Sequence, residues 1–157
     1  MELCRATSGD AVEIAKLRID MLCEADRIPD GLLYKVMNNT ATHMETGLAD
    51  GSVVYWLAVE EAQIVGMGCI SFFMLPPNDW CPNGTTAYVG NMYVVKSHRK
   101  QGIARLILSH LLREADERGC ERVLLNTTEM GKPLYKAMGF EDSATAMALY
   151  PYGIRQY

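Results

Sequence analysis

The sequence predicts one α/β domain built on a mixed, largely antiparallel sheet of about six or seven strands flanked by about four helices. Three observations support this prediction. A length of 157 residues fits one domain with a sizeable core. Hairpin-like strand pairs occur early and strand–helix–strand crossovers occur late, an order typical of a mixed sheet. No repeat, low-complexity tract or linker interrupts residues 1–157, so we assign the whole chain to a single domain.

The first half of the chain is predicted to hold a short strand, two helices and a hairpin. Apolar residues recur at helical spacing after Asp10, and Pro29-Asp30-Gly31 separates the two helical stretches. Glu61-Ala62 lies between two β-branched and aromatic runs and predicts the turn of the hairpin. The predicted elements are a strand at 2–7, helices at 10–25 and about 31–47, and strands at 53–61 and 63–74. The second helix is expected to end near Gly47 and Asp50-Gly51.

The second half is predicted to alternate strands with helices. The segment 75–84, LPPNDWCPNG, is a loop by its Pro, Asn, Asp and Gly content. Gly119 and Gly139 stand where two helices are expected to end, and Thr128 is a candidate cap for the second of them. The predicted elements are strands at 85–95 and 121–126, helices at 101–118 and 129–138, and final strands at 140–142 and 145–150.

Composition and charge narrow the function classes. A formal net charge of −4 argues against a nucleic-acid or membrane-surface partner, which would favour a basic face. The chain has neither the pattern of a signal peptide nor the roughly 18 apolar residues of a membrane span. Its five cysteines are scattered without a C-x-x-C pair and are expected to be reduced in a cytoplasmic protein. His43, His98 and His110 share no metal-ligand spacing, so no metal is expected.

Two other signals are set aside. The glycines of GMGCIS, residues 66–71, half-match a dinucleotide-binding pattern but lie within a predicted strand, so we interpret them as points of close backbone packing. Cys69, Cys81 and Cys120 have no base placed beside them in the sequence, and a thiol needs one to act as a nucleophile. Neither signal therefore predicts chemistry.

A basic cluster stands at the start of the helix predicted over 101–118. The helix begins near Gly102, at a position where a capping Ser, Thr, Asp or Asn is usual. Ala104 has a small side chain, which leaves space beside the first turn. The free N–H groups and the dipole of a helix N-terminus bind phosphate. Two interpretations remain open, an anion site and a basic helix start that faces water. The basic residues are Lys96, His98, Arg99, Lys100 and Arg105.

A second motif extends this pattern, and the two together resemble the GNAT superfamily of N-acetyltransferases. That family has a strand, an R/Q-x-x-G-x-G/A loop that opens a helix, another strand, and a helix carrying Y-x-x-x-G-F. Here the loop is RKQGIA at 99–104 and the second motif is YKAMGF at 135–140. The resemblance is clear over residues 53–150, and it implies an acetyl-CoA-binding core over about 53–150 with acceptor-side helices over about 8–50.

The resemblance implies that acetyl-CoA is the co-substrate and indicates where it binds. The backbone of Met92, Tyr93 and Val94 would pair with the pantetheine arm like an added strand. The family often has an Asn seven residues before its Tyr; here that position is Thr128, and Asn126 lies two residues earlier, so both are candidates. The pyrophosphate would lie on the N–H groups of Gln101, Gly102, Ile103, Ala104 and Arg105, with Arg99 or Lys100 screening its charge.

The implied reaction is the transfer of an acetyl group to a primary amine by direct attack in a ternary complex. A backbone N–H of the long strand would hold the oxyanion, and Tyr135 would protonate the departing thiolate. The general base stays open between Glu129, Asp79 and a water relay. A catalytically silent CoA-binding regulatory module and a purely structural interaction domain are the alternatives.

The acceptor side carries more acidic than basic residues, which predicts a small cationic amine as the acceptor. Tyr34 and Trp80 could pack on its apolar part. Acidic side chains that only face water would give the same excess of acidic residues. A peptide or protein amine is the second candidate for the acceptor. A homodimer is compatible with the sequence. The charged residues concerned are Glu24, Asp26, Asp30, Glu45 and Asp79 against Arg27 and Lys35.

Overall fold

A five-stranded sheet organises the protein, whose computed structural model describes residues 1–25, 28–143 and 149. Its strands are β1 (Glu2–Arg5), β2 (Val53–Glu60), β3 (Gln63–Met74), β4 (Thr85–Val94) and β5 (Arg122–Leu125). The sheet order is β1-β2-β3-β4-β5, antiparallel from β1 to β4, whereas β5 runs parallel to β4. The predicted mixed and largely antiparallel sheet is therefore confirmed.

Four α-helices accompany the sheet in the described residues: α1 (Ala11–Glu24), α2 (Leu33–Asp50), α3 (Ile103–Glu117) and α4 (Lys132–Ala137). Alternate β2 residues such as Tyr55 and Leu57 pack with α1 and α2, whereas Trp56 between them points to α3. The three larger helices thus cover opposite faces of the sheet. None of the helices in the described part of the chain is long and apolar enough to cross a membrane.

The chain divides into two compact units, Met1–Asn126 and Thr127–Tyr157. The first unit contains the whole sheet together with α1, α2 and α3, and the second contains α4. The β4–α3–β5 crossover of the first unit is the strand–helix–strand arrangement predicted for the second half of the chain.

The prediction of about six or seven strands is too high, because residues 140–142 do not form a strand. Asp142 instead pairs with Lys132 at 2.9 Å and with Lys136 at 2.8 Å. These two ion pairs fold the segment after Gly139 back onto α4, so it does not extend into a sheet. The other strand predicted here, at 145–150, lies outside the described residues except for residue 149.

Two helix boundaries differ from the predicted ranges by about one turn. α2 ends at Asp50, with Gly51 as its C-cap at a φ of 74°, which is the second of the two predicted ends. Gly47 lies within the helix as a packing position, where a Cβ would lie 2.5 Å from Val53 Cγ2. α4 begins at Lys132 rather than at 129. The hydroxyl of Thr128 accepts the Gly131 N–H at 3.2 Å, so it stabilises the turn that precedes the helix.

Gly66 and Gly68 of β3 lie against α3, which confirms the close-packing interpretation of GMGCIS. A Cβ on Gly66 would lie 3.0 Å from Ile103 Cγ2, and one on Gly68 would lie 2.8 Å from Ile107 Cγ2 and collide with the Met92 sulfur. Because side chains are absent at these two positions, the first turns of α3 approach the sheet closely. The start of α3 is thereby held beside β3 and β4.

Glu114 is a buried carboxylate that ties α3 to the sheet. It is 2% exposed and accepts hydrogen bonds from Arg5 Nε at 2.7 Å and Trp56 Nε1 at 3.0 Å. Burial acts to raise the pKa of this carboxyl, but the bonds from Arg5 and Trp56 outweigh it and hold the pKa below its ordinary value. The ionised form of Glu114 is therefore the one that stabilises the fold.

We expect Glu114→Gln to lower the free energy of unfolding by about 1–3 kcal/mol at pH 7, since it removes a charged partner from buried hydrogen bonds. A carboxyl with a lowered folded-state pKa contributes stability above its unfolded pKa of about 4.3 and loses it as the pH falls through the folded pKa. Urea unfolding across this range should thus show the wild-type advantage shrinking in acid. Glu117→Gln, which breaks an exposed 3.5 Å pair with Arg113 on the same helix, is the control; equal losses at pH 7 would contradict the assignment.

Candidate active site

α3 begins without a side-chain cap, and Gly102 is its N-cap residue. The φ angle of Gly102 is 83°, a left-handed conformation that glycine adopts without strain. A Cβ at this position would meet no atom within 4 Å. The space beside Gly102 is consequently open at a helix end whose N–H groups and dipole favour an anion.

Exposed basic side chains surround this helix start. Lys96, Lys100 and Arg105 are exposed. His98 differs, because its Nε2 lies 3.0 Å from a carboxylate oxygen of Glu60. The basic cluster predicted from the sequence is therefore present around the start of α3, with His98 directed to an acidic partner.

Arg99 is directed away from the helix start, toward α1. Its Nη1 lies 2.6 Å from Glu24 Oε1, its Nη2 donates to Glu24 Oε2 at 2.9 Å, and its Nε donates to the Val94 carbonyl at 2.8 Å. The bond from Arg99 lowers the pKa of Glu24, and the Tyr93 hydroxyl, 3.2 Å away, donates to the same carboxylate. Of the two residues predicted to screen a pyrophosphate, Arg99 thus has a carboxylate partner, whereas Lys100 is exposed.

The second half of β4 extends beyond β5. β5 pairs only with residues 86–89, so residues 90–94 of β4 have β3 on one side and no described strand on the other. This segment contains Met92, Tyr93 and Val94, which the sequence predicts to bind pantetheine. An unpaired strand edge offers backbone donors and acceptors to an extended ligand.

A β-bulge interrupts β4 at the beginning of this segment. The β3–β4 register shifts so that Asn91 and Met92 together oppose Gly68, and the φ angle of Asn91 is 52°. Bulges leave a residue unpaired and redirect side chains, and they are frequent beside active sites. Here the Asn91 side chain turns to the face of the sheet that α1 covers. It donates to Tyr55 Oη of β2 at 2.7 Å and accepts a hydrogen bond from Arg18 Nη1 of α1.

Sequence reasoning missed both Asn91 and Arg18. The signal for Asn91 was the pair Gly90-Asn91 inside a β-rich run, since a glycine within a strand often marks a bulge and asparagine tolerates positive φ. No sequence signal marked Arg18, because it is one of several charged residues on an amphipathic helix.

The second unit carries the Y-x-x-x-G-F motif on α4. Tyr135 is 8% exposed, and its ring makes an edge-to-face contact with Phe140 at 5.7 Å between centroids. Thr128 uses its hydroxyl locally, as the acceptor for Gly131. Asn126, the other candidate for the pantetheine contact, is exposed and follows β5 in the first unit.

The acidic balance expected on the acceptor side is weaker than the sequence suggests. Glu24 is paired with Arg99, and Glu45 lines a groove to which no β4 residue contributes. Asp79 is exposed, and the side chains of Tyr34 and Trp80 are 74% and 83% exposed. Asp26, Arg27 and the side chain of Asp30 lie outside the described part of the chain.

The described residues contain neither an activated cysteine nucleophile among Cys69, Cys81 and Cys120 nor a group of metal-ligating side chains. Cys69 is 5% exposed and burial raises its pKa to about 11, and burial likewise raises the pKa of Cys120. Cys81 is fully buried. Within the described chain, no three His, Cys, Asp or Glu side chains are grouped so as to hold a metal ion.

Comparisons with known proteins bear on the family. A protein from Clostridium acetobutylicum described as a predicted acetyltransferase, solved with acetyl-CoA, superposes with a TM-score of 0.88 at 28% identity over 95% of each chain. A GCN5-related N-acetyltransferase from Ralstonia eutropha JMP134 gives 0.87 at 28% identity over 97% of this chain and 99% of its own.

Curated relatives and a family model agree with these structures. The uncharacterized N-acetyltransferase YsnE of Bacillus subtilis (strain 168) is 27% identical over 94 residues, 57% of this chain. The chain spans about half the length of the curated relatives that it matches, 56% and 42% in two cases. The model of the acetyltransferase (GNAT) family matches residues 21–140. Since this match includes both motifs and most of the chain, it confirms the resemblance seen in the sequence: the chain belongs to the acetyltransferase (GNAT) family.

Proposed function

We propose that the protein transfers an acetyl group from acetyl-CoA to a primary amine of a small molecule. Three successive features along β4 and α3 carry this proposal: a bulge, a strand edge that no described strand pairs, and an uncapped helix start. The amide-containing arm of such a ligand matches the strand edge, and its pyrophosphate matches the helix start. The relative solved with acetyl-CoA supports this choice of ligand.

Each part of the cofactor has a proposed partner. The pyrophosphate binds the N–H groups of residues 101–105, and Lys100 and Arg105 contribute positive charge. The pantetheine arm pairs with residues 92–94 of β4. Asn126 is the preferred side-chain contact for the arm, because it is exposed directly after β5, the strand that pairs with β4. Arg99 holds the loop in place through Glu24.

The proposed chemistry is aminolysis of a thioester. The amine nitrogen bonds to the carbonyl carbon, the carbon–sulfur bond breaks, the amine loses a proton to water or a side chain, and the thiolate gains one. A β4 N–H stabilises the oxyanion, an effect worth about 3 kcal/mol where such a donor was removed in another enzyme. Tyr135 hydrogen-bonds the developing thiolate and donates its proton late; this role rests on its place in the Y-x-x-x-G-F motif.

Direct attack in a ternary complex is favoured over an acetyl-cysteine intermediate. A covalent route needs a thiolate, and the buried Cys69 beside the bulge, 3.6 Å from a Cβ on Gly90, has a pKa raised to about 11. Its hydrogen-bond partner is Tyr55, which is not a base at neutral pH. With Cys69 set aside as a nucleophile, the proposed route is reaction of the free amine with bound acetyl-CoA itself.

This mechanism predicts intersecting initial-rate lines when acetyl-CoA and amine are varied together. Intact-protein mass spectrometry after incubation with acetyl-CoA alone should show no acetylated enzyme. Parallel lines together with a stable increase of one acetyl group would contradict direct attack, because they are the marks of a two-step covalent route.

The function itself is tested by measuring CoA release and the acetylated product over a panel of polyamines, aminoglycosides, amino acids and short peptides. Turnover of a small amine is the expected result. Turnover confined to peptides would replace the small-molecule acceptor with a peptide or protein amine. Binding of CoA without acetylation of any amine would contradict the enzymatic proposal and favour a regulatory module.

A further inference from the structure

We infer that Arg18 is the subsite for an anionic group, a carboxylate or a phosphate, on the amine acceptor; this inference rests on the proposed acetyl transfer. Arg18 lies on α1 and is half-buried. Its Nη1 donates to Asn91 Oδ1, the side chain that the β4 bulge turns toward α1. The guanidinium thus lies beside the bulge.

Arg18 has no carboxylate partner among the described residues, in which the ion pairs within 4.0 Å involve other cations. The carboxylate of Glu24, one and a half turns further along α1, is already paired with Arg99. A guanidinium has five N–H donors in a fork that fits a carboxylate or a phosphate. Asn91 accepts one of them, and a neutral amide does not compensate the charge.

The neighbouring groups leave the positive charge of Arg18 intact. Tyr55 and Cys69 are the titratable side chains of β2 and β3 on this face, and both are buried. Burial raises the pKa of Tyr55 far above its ordinary value and that of Cys69 to about 11. Both are therefore neutral at physiological pH, and Asn91 bears no charge. Arg18 is half-buried, so water reaches the guanidinium, and an anionic ligand that displaces this water would bring a compensating charge.

The place of Arg18 relative to the bulge defines the class of acceptor. Asn91 immediately precedes residues 92–94, which are proposed to pair with the pantetheine arm, and it contacts Arg18 directly. An anion on Arg18 would therefore lie next to the segment of β4 that is proposed to bind the arm. An acceptor that fits carries its amine a few bonds from a carboxylate or phosphate, as in an amino acid or an aminoalkyl phosphate. The cationic amine suggested by the acidic residues of the sequence would be repelled by Arg18.

Matched pairs of acceptors test this subsite. Amino acids are compared with their amides, and 2-aminoethyl phosphate with ethanolamine, so that the two arms separate a carboxylate from a phosphate. We expect the wild type to prefer the anionic member of at least one pair. Arg18→Met should lower kcat/KM for that member by about 10- to 100-fold, the range for loss of a charge-assisted hydrogen bond. The neutral counterpart and the KM for acetyl-CoA should change less than about twofold.

Two further variants separate the subsite from a structural role. Arg18→Lys should recover part of the preference, and Lys16→Met, which removes an exposed charge from the same helix, should change nothing. Equal losses for both members of each pair, or a wild-type preference for amides or spermidine, would overturn the inference.

A binding measurement keeps the subsite testable if no amine is acetylated. The lack of acetylation would refute the proposed acetyl transfer but would leave the anion subsite untouched. The melting temperature of the CoA-saturated protein is then followed with amino acids and with 2-aminoethyl phosphate. A rise that Arg18→Met removes would support the anion subsite, and the absence of any rise in the wild type would overturn it.

Discussion

Gly102→Glu is expected to abolish the rise in melting temperature that CoA and acetyl-CoA produce in the wild-type protein. A ligand that binds only the folded state stabilises it by mass action, by about 2.7 kcal/mol at one hundred times its Kd. In the variant, a side chain occupies the open space over the first turn of α3, and its negative charge repels the pyrophosphate. A left-handed φ of 83° also makes any residue with a Cβ cost about 1–2 kcal/mol.

Gly119→Glu is the matched control for this substitution. Gly119 follows the other end of α3, has a φ of 63°, and also has no atom within 4 Å of a Cβ position. The control therefore introduces the same side chain and a comparable backbone strain, and it should lower the melting temperature without ligand while keeping the CoA-induced rise. A folded Gly102→Glu protein with an undiminished rise would place the cofactor elsewhere.

Tyr135→Phe is expected to lower kcat by about 10²- to 10³-fold, within the usual range for loss of a general acid, while the affinity for CoA is retained. The substitution removes only the hydroxyl, so the edge-to-face contact with Phe140 is kept. Because the hydroxyl acts as the thiolate departs, ground-state binding should be unaffected. Stopped-assay rates and CoA titration by calorimetry measure the two quantities separately.

Tyr34→Phe is the control for this second variant, since it removes a hydroxyl from a residue of α2 that is 74% exposed and keeps the ring that is predicted to pack on the acceptor. Its rate should equal that of the wild type. An unchanged kcat in Tyr135→Phe would remove Tyr135 from the mechanism and leave water as the acid.

Predictions from local sequence succeeded where neighbouring residues decide the structure. The hairpin turn at Glu61-Ala62 is present with both residues at positive φ. Gly119 and Gly139 follow α3 and α4 as expected. Gly47 shows the limit of such reasoning. The sequence offers both Gly47 and Asp50-Gly51 as the end of α2, and in the structure Gly47 packs against Val53 inside the helix while Gly51 is the C-cap.

The acidic residues of the acceptor side show a second limit. A count of charges treats Glu24 and Arg18 as independent, but the fold pairs Glu24 with Arg99 and leaves Arg18 beside Asn91. The acidic count predicts a negative acceptor side, whereas the side chain beside the bulge is the positively charged Arg18. Composition describes what a surface carries in total, and only packing decides which charges are compensated.

The sequence by itself determined the order of the elements, the uncapped basic start of α3 and the family, because each depends on residues close together in the chain. The tertiary structure decided the bulge with its redirected Asn91, and the partners of Arg18 and Arg99. Those contacts join residues 73 and 75 positions apart. They form only when α1 packs across the sheet, and the free energy of that packing is a sum over many apolar contacts that no local pattern contains.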